Sequence, residues 1–380
     1  MGWPEVGMLH TLTYAFLAYA AVVFLLNLWY FRRRRQLPLP EDGERISVLV
    51  PARNEEANLA RCLDSLLAQS YPQLEILVMD DDSTDGTWAL LQDYVQRYPG
   101  RIRAFRNRDL PAGWVGKCWV CSQLAELAAG RWLAFVDADT WHHPDSIRHA
   151  LLEARRRRSA LVSYVPDMVL GTLAEKIGVP VITFAFYLLF PIGMVRWLKS
   201  RYAAMAVGTL MLVRRDVYER LGGHAGLRQD IVEDVAMARA VKSLGERVDL
   251  LDGTGLLYTR FYHNAREVWN GFSKAAFGAF GFSFLPYVLT LVFAYALFLN
   301  PFLMLAVHPS FSFYNPFFNQ VLAILALRLL LALRVRQPAL SALLHPVMVV
   351  FSLLFCLNSL WRIAWGLPIE WKQRQYKISK

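Results

Sequence analysis

The chain has 380 residues, 55% of them hydrophobic and 13% aromatic, with a formal net charge of +10. That apolar share exceeds what a soluble domain carries, which excludes a purely water-soluble protein and assigns part of the apolar material to lipid. The basic residues cluster at Arg32–Arg35, at Arg155–Arg158 and at Lys372, Arg374 and Lys377. No nucleic-acid motif accompanies them, so the charge suits a cytoplasmic membrane surface and not nucleic acid.

Met8 to Phe31 supplies about 24 mostly apolar residues, enough to cross a bilayer at roughly 1.5 Å per residue. Basic residues follow this run and none precede it, which reads as an uncleaved anchor with the next domain in the cytoplasm. Residues 1–35 are therefore the anchor with its basic flank, and 36–44, with two prolines, a linker.

From Ile46 the pattern alternates strands and helices. Ile46 to Val50 reads as a buried strand, and Asn54-Glu55-Glu56 opens a helix with Asn54 as N-cap. Leu59, Cys62, Leu63, Leu66 and Leu67 give that helix one apolar face. Ile76 to Met79, Ile102 to Phe105 and Trp132 to Val136 are the next strands, with helices over roughly 88–97 and 115–129 between them. This order implies an α/β domain with a mostly parallel sheet, whose ligands sit beyond the strand C-termini. Three polar clusters, Pro51–Glu55, Asp80–Asp85 and Asp137–Asp139, fall at those ends. Asp137 and Asp139, spaced i, i+2 after an apolar strand, point the same way and repel each other, and a hard divalent cation relieves that repulsion while leaving positions open for phosphate. Two solvated loop acids are the plainer alternative.

Cys62, Cys118, Cys121 and Cys356 make no disulfide framework. The lone pair Cys118 and Cys121, without a second pair nearby, reads as two small apolar residues on a buried helix. Further on, strands are expected at 161–165, 206–213 and 248–251, and a helix at 231–244 carrying Glu233 and Asp234 in its first turn. Apolar segments at 282–307, 317–333 and 343–367 form a C-terminal membrane region spanning 282–367, before a basic tail at 368–380. Three later spans would put that tail on the far side, against the positive-inside rule, unless one segment re-enters.

Four blocks in order carry a resemblance: Val48-Leu-Val-Pro-Ala-Arg-Asn-Glu-Glu56, Val78-Met-Asp-Asp-Asp-Ser-Thr-Asp-Gly-Thr87, Asp137-Ala-Asp139 and Val232-Glu-Asp-Val-Ala-Met237. Together they resemble glycosyltransferase family 2, in its membrane-anchored branch with bacterial carotenoid glycosyltransferases and ceramide glucosyltransferase. Gly113-Trp-Val-Gly-Lys117 and Glu370-Trp-Lys-Gln-Arg-Gln-Tyr376 look closest to the carotenoid enzymes. The resemblance implies a single Rossmann-like nucleotide-sugar fold of type A over residues 45–274, and transfer with inversion. It makes Asp81 the nucleotide-binding aspartate, with Pro51, Arg53 and Glu55 lining the same pocket. It gives Asp137 and Asp139 a shared Mg2+ or Mn2+ ion and the donor diphosphate, and it makes Asp234 the catalytic base.

Lys117, Arg260 and Arg266 could add positive charge at the diphosphate. A solvated lysine at a helix end is the alternative for Lys117, and an acid stabilising a helix N-terminus is the alternative for Asp234. The stretch His263 to Trp269 departs from the family's Arg-Trp motif, which leaves Arg266 and Trp269 without a firm role and argues against a processive polymer synthase.

The leading expectation is an enzyme moving a hexose, with glucose foremost, from a nucleotide diphosphate sugar such as a UDP-sugar to a hydroxyl of a carotenoid-like or ceramide-like membrane lipid. Transfer to polyprenyl phosphate is the alternative within that class. A transporter is disfavoured by about 225 residues of polar α/β domain and by the lack of paired short segments. A non-catalytic nucleotide-sugar binder is disfavoured by the complete set of acids. The apolar run Ile177 to Leu198 cannot cross the membrane once, because the metal acids and the base must meet on one side. It is expected to lie in the interface as the lipid-facing wall of the acceptor site, with Lys176, Arg196, Lys199 and Arg201 among headgroups.

Overall fold

Sequence periodicity predicts the elements closely enough that the computed structural model can be described against it. The structure describes residues 7–32, 43–107, 109–230, 232–277, 283–365, 369–371 and 374–376. Arg33–Arg35, most of the expected linker, Ile231, Lys372 and Lys377 lie outside the described residues. The chain divides into two compact units, one made of 1–29, 168–191 and 261–380, the other of 30–167 and 192–260.

In chain order, the first apolar run forms α1 (Gly7–Tyr30). The alternating region follows as β1 (Ile46–Ala52), α2 (Leu59–Leu67), β2 (Leu74–Asp81), α3 (Thr87–Arg97), β3 (Ile102–Asn107), α4 (Gly116–Leu127) and β4 (Trp132–Phe135). It continues with β5 (Thr140–His142), α5 (Ser146–Arg157) and β6 (Leu161–Met168). The chain leaves this unit for α6 (Leu173–Gly178) and α7 (Pro180–Phe184), and returns with α8 (Gly193–Trp197), β7 (Met211–Arg214), α9 (Arg215–Arg220), α10 (Glu233–Ser243) and β8 (Val248–Thr259).

The eight strands form one sheet in the order β3-β2-β1-β4-β7-β6-β8-β5. The β3-β2-β1-β4 half is parallel, as the strand–helix alternation predicts. The pairs β4/β7, β7/β6 and β8/β5 are antiparallel, so the sheet is mixed. An apolar run reads the same in either direction, which is why sequence pattern sees the strands and not their sense. β1, β2 and β4 are buried almost throughout, the mark of strands covered on both faces. On α2, Leu59, Cys62, Leu63 and Leu66 are buried as the spacing predicts. Asn54 is not its N-cap: the helix starts later, at Leu59, and the Asn54 carboxamide oxygen accepts from Thr84 N at 2.9 Å instead.

Away from the loops that carry the acids, Asp249 on β8 is fully buried. Its Oδ1 accepts from the Tyr30 hydroxyl at 2.6 Å and Arg157 Nη1 at 3.0 Å. Its Oδ2 accepts from Arg196 Nη1 at 2.6 Å and from the Ser159 hydroxyl. Charged hydrogen bonds on every side are what makes a buried carboxylate tolerable. This hub corrects two expectations. Arg196 is turned onto Asp249 and not towards headgroups. The Arg155–Arg158 cluster is largely neutralised inside the fold, Arg155 by Glu44 at 2.8 Å and Arg156 and Arg157 by Glu153 at 2.5 and 2.7 Å.

The other unit is helical. Beyond α6 and α7 it holds α11 (Ala265–Ala275), α12 (Phe284–Ala294), α13 (Asn300–Val307), α14 (Pro316–Arg334), α15 (Leu340–Leu343) and α16 (His345–Ala364), then the two-stranded β9 (Ile369–Trp371) and β10 (Arg374–Tyr376). A π-helical turn, Tyr295–Leu299, joins α12 to α13. Among the described residues, four stretches are long and apolar enough to cross a membrane: Gly7–Tyr30, Phe284–Val307, Pro316–Arg334 and His345–Ala364. At most 39% of any of them is buried inside the protein, so most of their apolar surface needs another apolar partner, which lipid provides. The run 177–198 is not among them. After α7 it passes through a π turn, Ala185–Leu189, and breaks at extended Phe190 before Pro191. Asn27 of α1 donates to the carbonyls of Phe186, Tyr187 and Phe190 at 3.2, 3.1 and 2.9 Å, satisfying groups the broken helix leaves open.

Candidate active site

Two loops leave the parallel strands side by side and are stitched together. Asn54 N donates to Ser83 Oγ at 2.9 Å, Glu55 N to Thr87 Oγ1 at 2.8 Å, and Gly86 N to Glu56 Oε2 at 2.9 Å. Arg53 donates to the carbonyls of Asp81 and Asp82. Asn54 and Asp82 both take left-handed backbone, at φ 51° and 55°. Their short polar side chains make that conformation accessible, and such strained positions concentrate at ligand loops. Asp81 is buried, and its Oδ1 accepts from Asn107 Nδ2 on β3 at 3.1 Å. Burial raises the pKa of neighbouring Asp80, with hydrogen bonds from Ser83 and the charge of Arg106 opposing. Pro51, Arg53 and Glu55 thus share one loop pair with Asp81.

The paired acids lie past the strand, in the turn between β4 and β5, and not on the strand itself. The three-residue β5 was not expected from sequence. It closes the turn: Thr140 donates from Oγ1 at 2.7 Å and from N at 3.2 Å to the Asp137 carbonyl. Beneath the turn, burial pushes the Cys62 thiol pKa up, and the charges of Asp139, Glu55 and Asp137 add to it. The β5/β8 ladder ends at Thr140 and Thr259, so Asp139 and Arg260 are the next residues beyond that end. Arg266 is an exposed residue of α11, in the helical unit. Cys118 and Cys121 are buried on α4, as their apolar reading requires.

Lys117, in the first turn of α4, is not a solvated helix-end lysine. Its ammonium lies 2.6 Å from Asp137 Oδ1 and 2.6 Å from Glu233 Oε1. Burial alone would lower its pKa, but the two carboxylates outweigh burial and hold it well above the ordinary value. Asp234, next to Glu233, accepts from Gly208 N at 3.0 Å through Oδ2 and from Val235 N at 2.7 Å through Oδ1. Its pKa is raised to about 7, first by burial and then by the charge of Glu233, with Lys117 opposing. Gly208 touches both acids. A Cβ there would stand 2.9 Å from Asp137 Oδ2 and 3.3 Å from Lys117 Nζ, so the position has no room for a side chain. Glu233 and Gly208 are the residues that sequence reasoning missed. Glu233 adjoined the motif without an assigned role, and Gly208 carried no signal.

Among the described residues no group of three or more His, Cys, Asp or Glu side chains could hold a metal ion. Two aspartates on one turn nevertheless fit Mg2+ or Mn2+ shared with phosphate oxygens, because these ions use few carboxylates and fill the other positions with substrate and water. Asp137 already accepts one cation, the Lys117 ammonium at 2.6 Å.

Residues 47–222 match the family model of glycosyl transferase family 2. The chain is 27% identical over 367 residues to a 4,4'-diaponeurosporenoate glycosyltransferase of Staphylococcus aureus, covering 92% of this chain and 94% of that protein. It is 27% identical over 227 residues to the protein of the same name from Staphylococcus haemolyticus, spanning 58% of each. Among solved structures, a mannosyltransferase from Pyrobaculum calidifontis in complex with GDP-Man and Mn2+ shares the fold, with a TM-score of 0.55 and 17% identity over 94% of this chain and 99% of that one.

Proposed function

We propose that this chain, whose residues 47–222 match glycosyl transferase family 2, moves a hexose, with glucose the leading sugar, from a nucleotide diphosphate sugar to a hydroxyl of a carotenoid-like or ceramide-like membrane lipid, inverting the anomeric carbon. The observation that carries this reading is the convergence of Asp137, Lys117, Glu233, Gly208 and Asp234. A site that must bind a diphosphate and deprotonate an acceptor needs a fixed cation beside a poised carboxylate, and here one glycine separates the two. The Staphylococcus aureus relative supports the carotenoid-like acceptor through its name.

In this reading Asp81, with Pro51, Arg53 and Glu55 around it, binds the nucleoside, and a UDP-sugar is the leading donor. Asp137 and Asp139 would hold Mg2+ or Mn2+, which when bound supplies Lewis acidity and charge neutralisation at the leaving diphosphate. Lys117 and Arg260 would place protein cations at the same group. Asp234 takes the proton of the acceptor hydroxyl as that oxygen attacks. The Gly208 amide and the first-turn amide of Val235 fix its two oxygens, so it meets the acceptor in one orientation. In this reading the α/β unit faces the cytoplasm, and the acceptor is drawn from the cytoplasmic leaflet.

A carboxylate with a pKa near neutrality is useful against a hydroxyl and has less to do with an acceptor already anionic, such as a polyprenyl phosphate. Asp234→Asn tests this. With a lipid alcohol as acceptor, turnover should be lost while nucleotide-sugar binding persists. Turnover retained with the alcohol would overturn the assignment of the base. Turnover retained only with a lipid phosphate would favour the anionic acceptor.

A further inference from the structure

Trp197, the last residue of α8, and Leu198, Lys199, Ser200, Arg201 and Tyr202 after it form an unbroken run of exposed residues before β7. Three of them are large and apolar or aromatic, with Trp197 53%, Leu198 42% and Tyr202 79% exposed. The backbone of this run is turned the other way. Lys242, buried on α10, donates its ammonium to the carbonyls of Leu198 at 2.8 Å, Ala203 at 3.2 Å and Ser200 at 3.5 Å. A short helical turn, Arg201–Ala203, is capped by the Ser200 hydroxyl. The loop is thus held from beneath by one buried cation while its side chains are presented outward.

Trp and Tyr together with Lys and Arg make up the composition of a membrane–water interface, where an apolar body and a polar or charged tip are both satisfied. The position of the loop agrees. The Trp197 ring packs edge-on against Tyr30, with centroids 5.8 Å apart at 81°. Tyr30 is the last residue of α1, the first helix of membrane-crossing length. A helix that crosses a bilayer ends at the headgroups, so a ring against its final residue lies at that depth. Arg196 is held by Asp249, which leaves Lys199 and Arg201 as the cations this loop presents outward.

We propose that Trp197–Tyr202 is a docking loop for anionic lipid: Trp197, Leu198 and Tyr202 enter the headgroup layer of the leaflet on the α/β-unit side, and Lys199 and Arg201 bind lipid phosphates. The inference rests on membrane association and not on glycosyl transfer. None of these residues belongs to the donor site; Trp197 and Leu198 end the run expected to line the acceptor path, and the lipid-binding readouts below do not depend on turnover. Two basic side chains at an anionic surface shift a local equilibrium by roughly 30-fold at low salt, less as salt screens them.

The test uses the full chain in nanodiscs of phosphatidylcholine, alone or mixed with phosphatidylglycerol. Trypsin cleavage after Lys199 and after Arg201 is followed by mass spectrometry, with cleavage after Arg97, exposed on α3, as the reference. Anionic lipid should slow cleavage at 199 and 201 by roughly tenfold or more relative to Arg97, and high salt should reverse the protection. A second arm places an environment-sensitive fluorophore on Tyr202→Cys. Cys62, Cys118 and Cys121 are buried, and the labelled native chain supplies the background from Cys356. Quenching by a headgroup nitroxide lipid with shielding from aqueous iodide supports the loop. Equal cleavage in both lipids, or a probe at 202 quenched by iodide and not by the nitroxide, overturns it.

Discussion

The backbone amide of Gly208 donates to Asp234 Oδ2 across 3.0 Å, and the same residue leaves no space for a side chain against Asp137. One glycine therefore fixes the spacing between Asp137 and Asp234, the carboxylates proposed to face the leaving group and the acceptor. Gly208→Ala should keep the fold and lower kcat by about a hundredfold, since a displacement of about 1 Å in a reacting group costs that much. Full turnover in a well-folded Gly208→Ala enzyme would show that the two acids are not held through this contact.

The pH dependence of kcat/KM should show an acidic limb. Asp234 must be ionised to accept a proton, and burial with the Glu233 charge raises its pKa to about 7. Activity therefore falls as pH drops through that value, about tenfold per unit below it. Glu233→Gln removes the neighbouring negative charge and should move the limb to lower pH. A limb unchanged by that substitution would mean another group controls it.

Activity should require a divalent cation. Excess chelator should abolish turnover, Mg2+ or Mn2+ should restore it, and Asp137→Ala or Asp139→Ala should leave nothing to restore. Undiminished rates in chelator would refute the assignment of these two acids.

Donor affinity should depend on Asp81 more than the chemical step does. A hydrogen bond to a charged group contributes about 1.5–3 kcal/mol, so Asp81→Ala should weaken nucleotide-sugar binding roughly tenfold or more. Asn107 also loses its acceptor in that variant, so Asp81→Asn, which preserves shape, is the companion measurement. Donor titrations that superimpose on the native curve in both variants would contradict the role of Asp81.

The places of these acids in the fold are legible in the sequence. Asp81, Asp137, Asp139 and Asp234 each follow or open an element with clear periodicity, and the strand–helix alternation alone sends the first three to one edge of the sheet. Lys117 was legible as a basic residue but not as a buried one, because its partners lie 20 residues away in Asp137 and on a distant helix in Glu233. Gly208 was invisible for a similar reason: the crowding that demands a glycine comes from a side chain on another strand's exit turn. β5 is too short to show an alternating pattern, and β8 extends through Asp252, Gly253, Thr254 and Gly255, a composition that reads as a turn. The sense of β7 is set by its neighbours, and nothing local to Met211–Arg214 encodes it.

The bond between Tyr30 and Asp249 also sets an order in time. The two residues are 219 positions apart. A ribosome adding roughly 5–20 residues per second makes the second one on the order of 10–45 s after the first. Through that interval the end of the anchor is already in place while its acceptor does not yet exist. Arg157 and Arg196, which converge on the same carboxylate, are also made before it. The hub around Asp249 therefore cannot form while the earlier strands of the α/β unit are being made, and a ribosome that stalls before β8 leaves Tyr30, Arg157 and Arg196 without their shared acceptor.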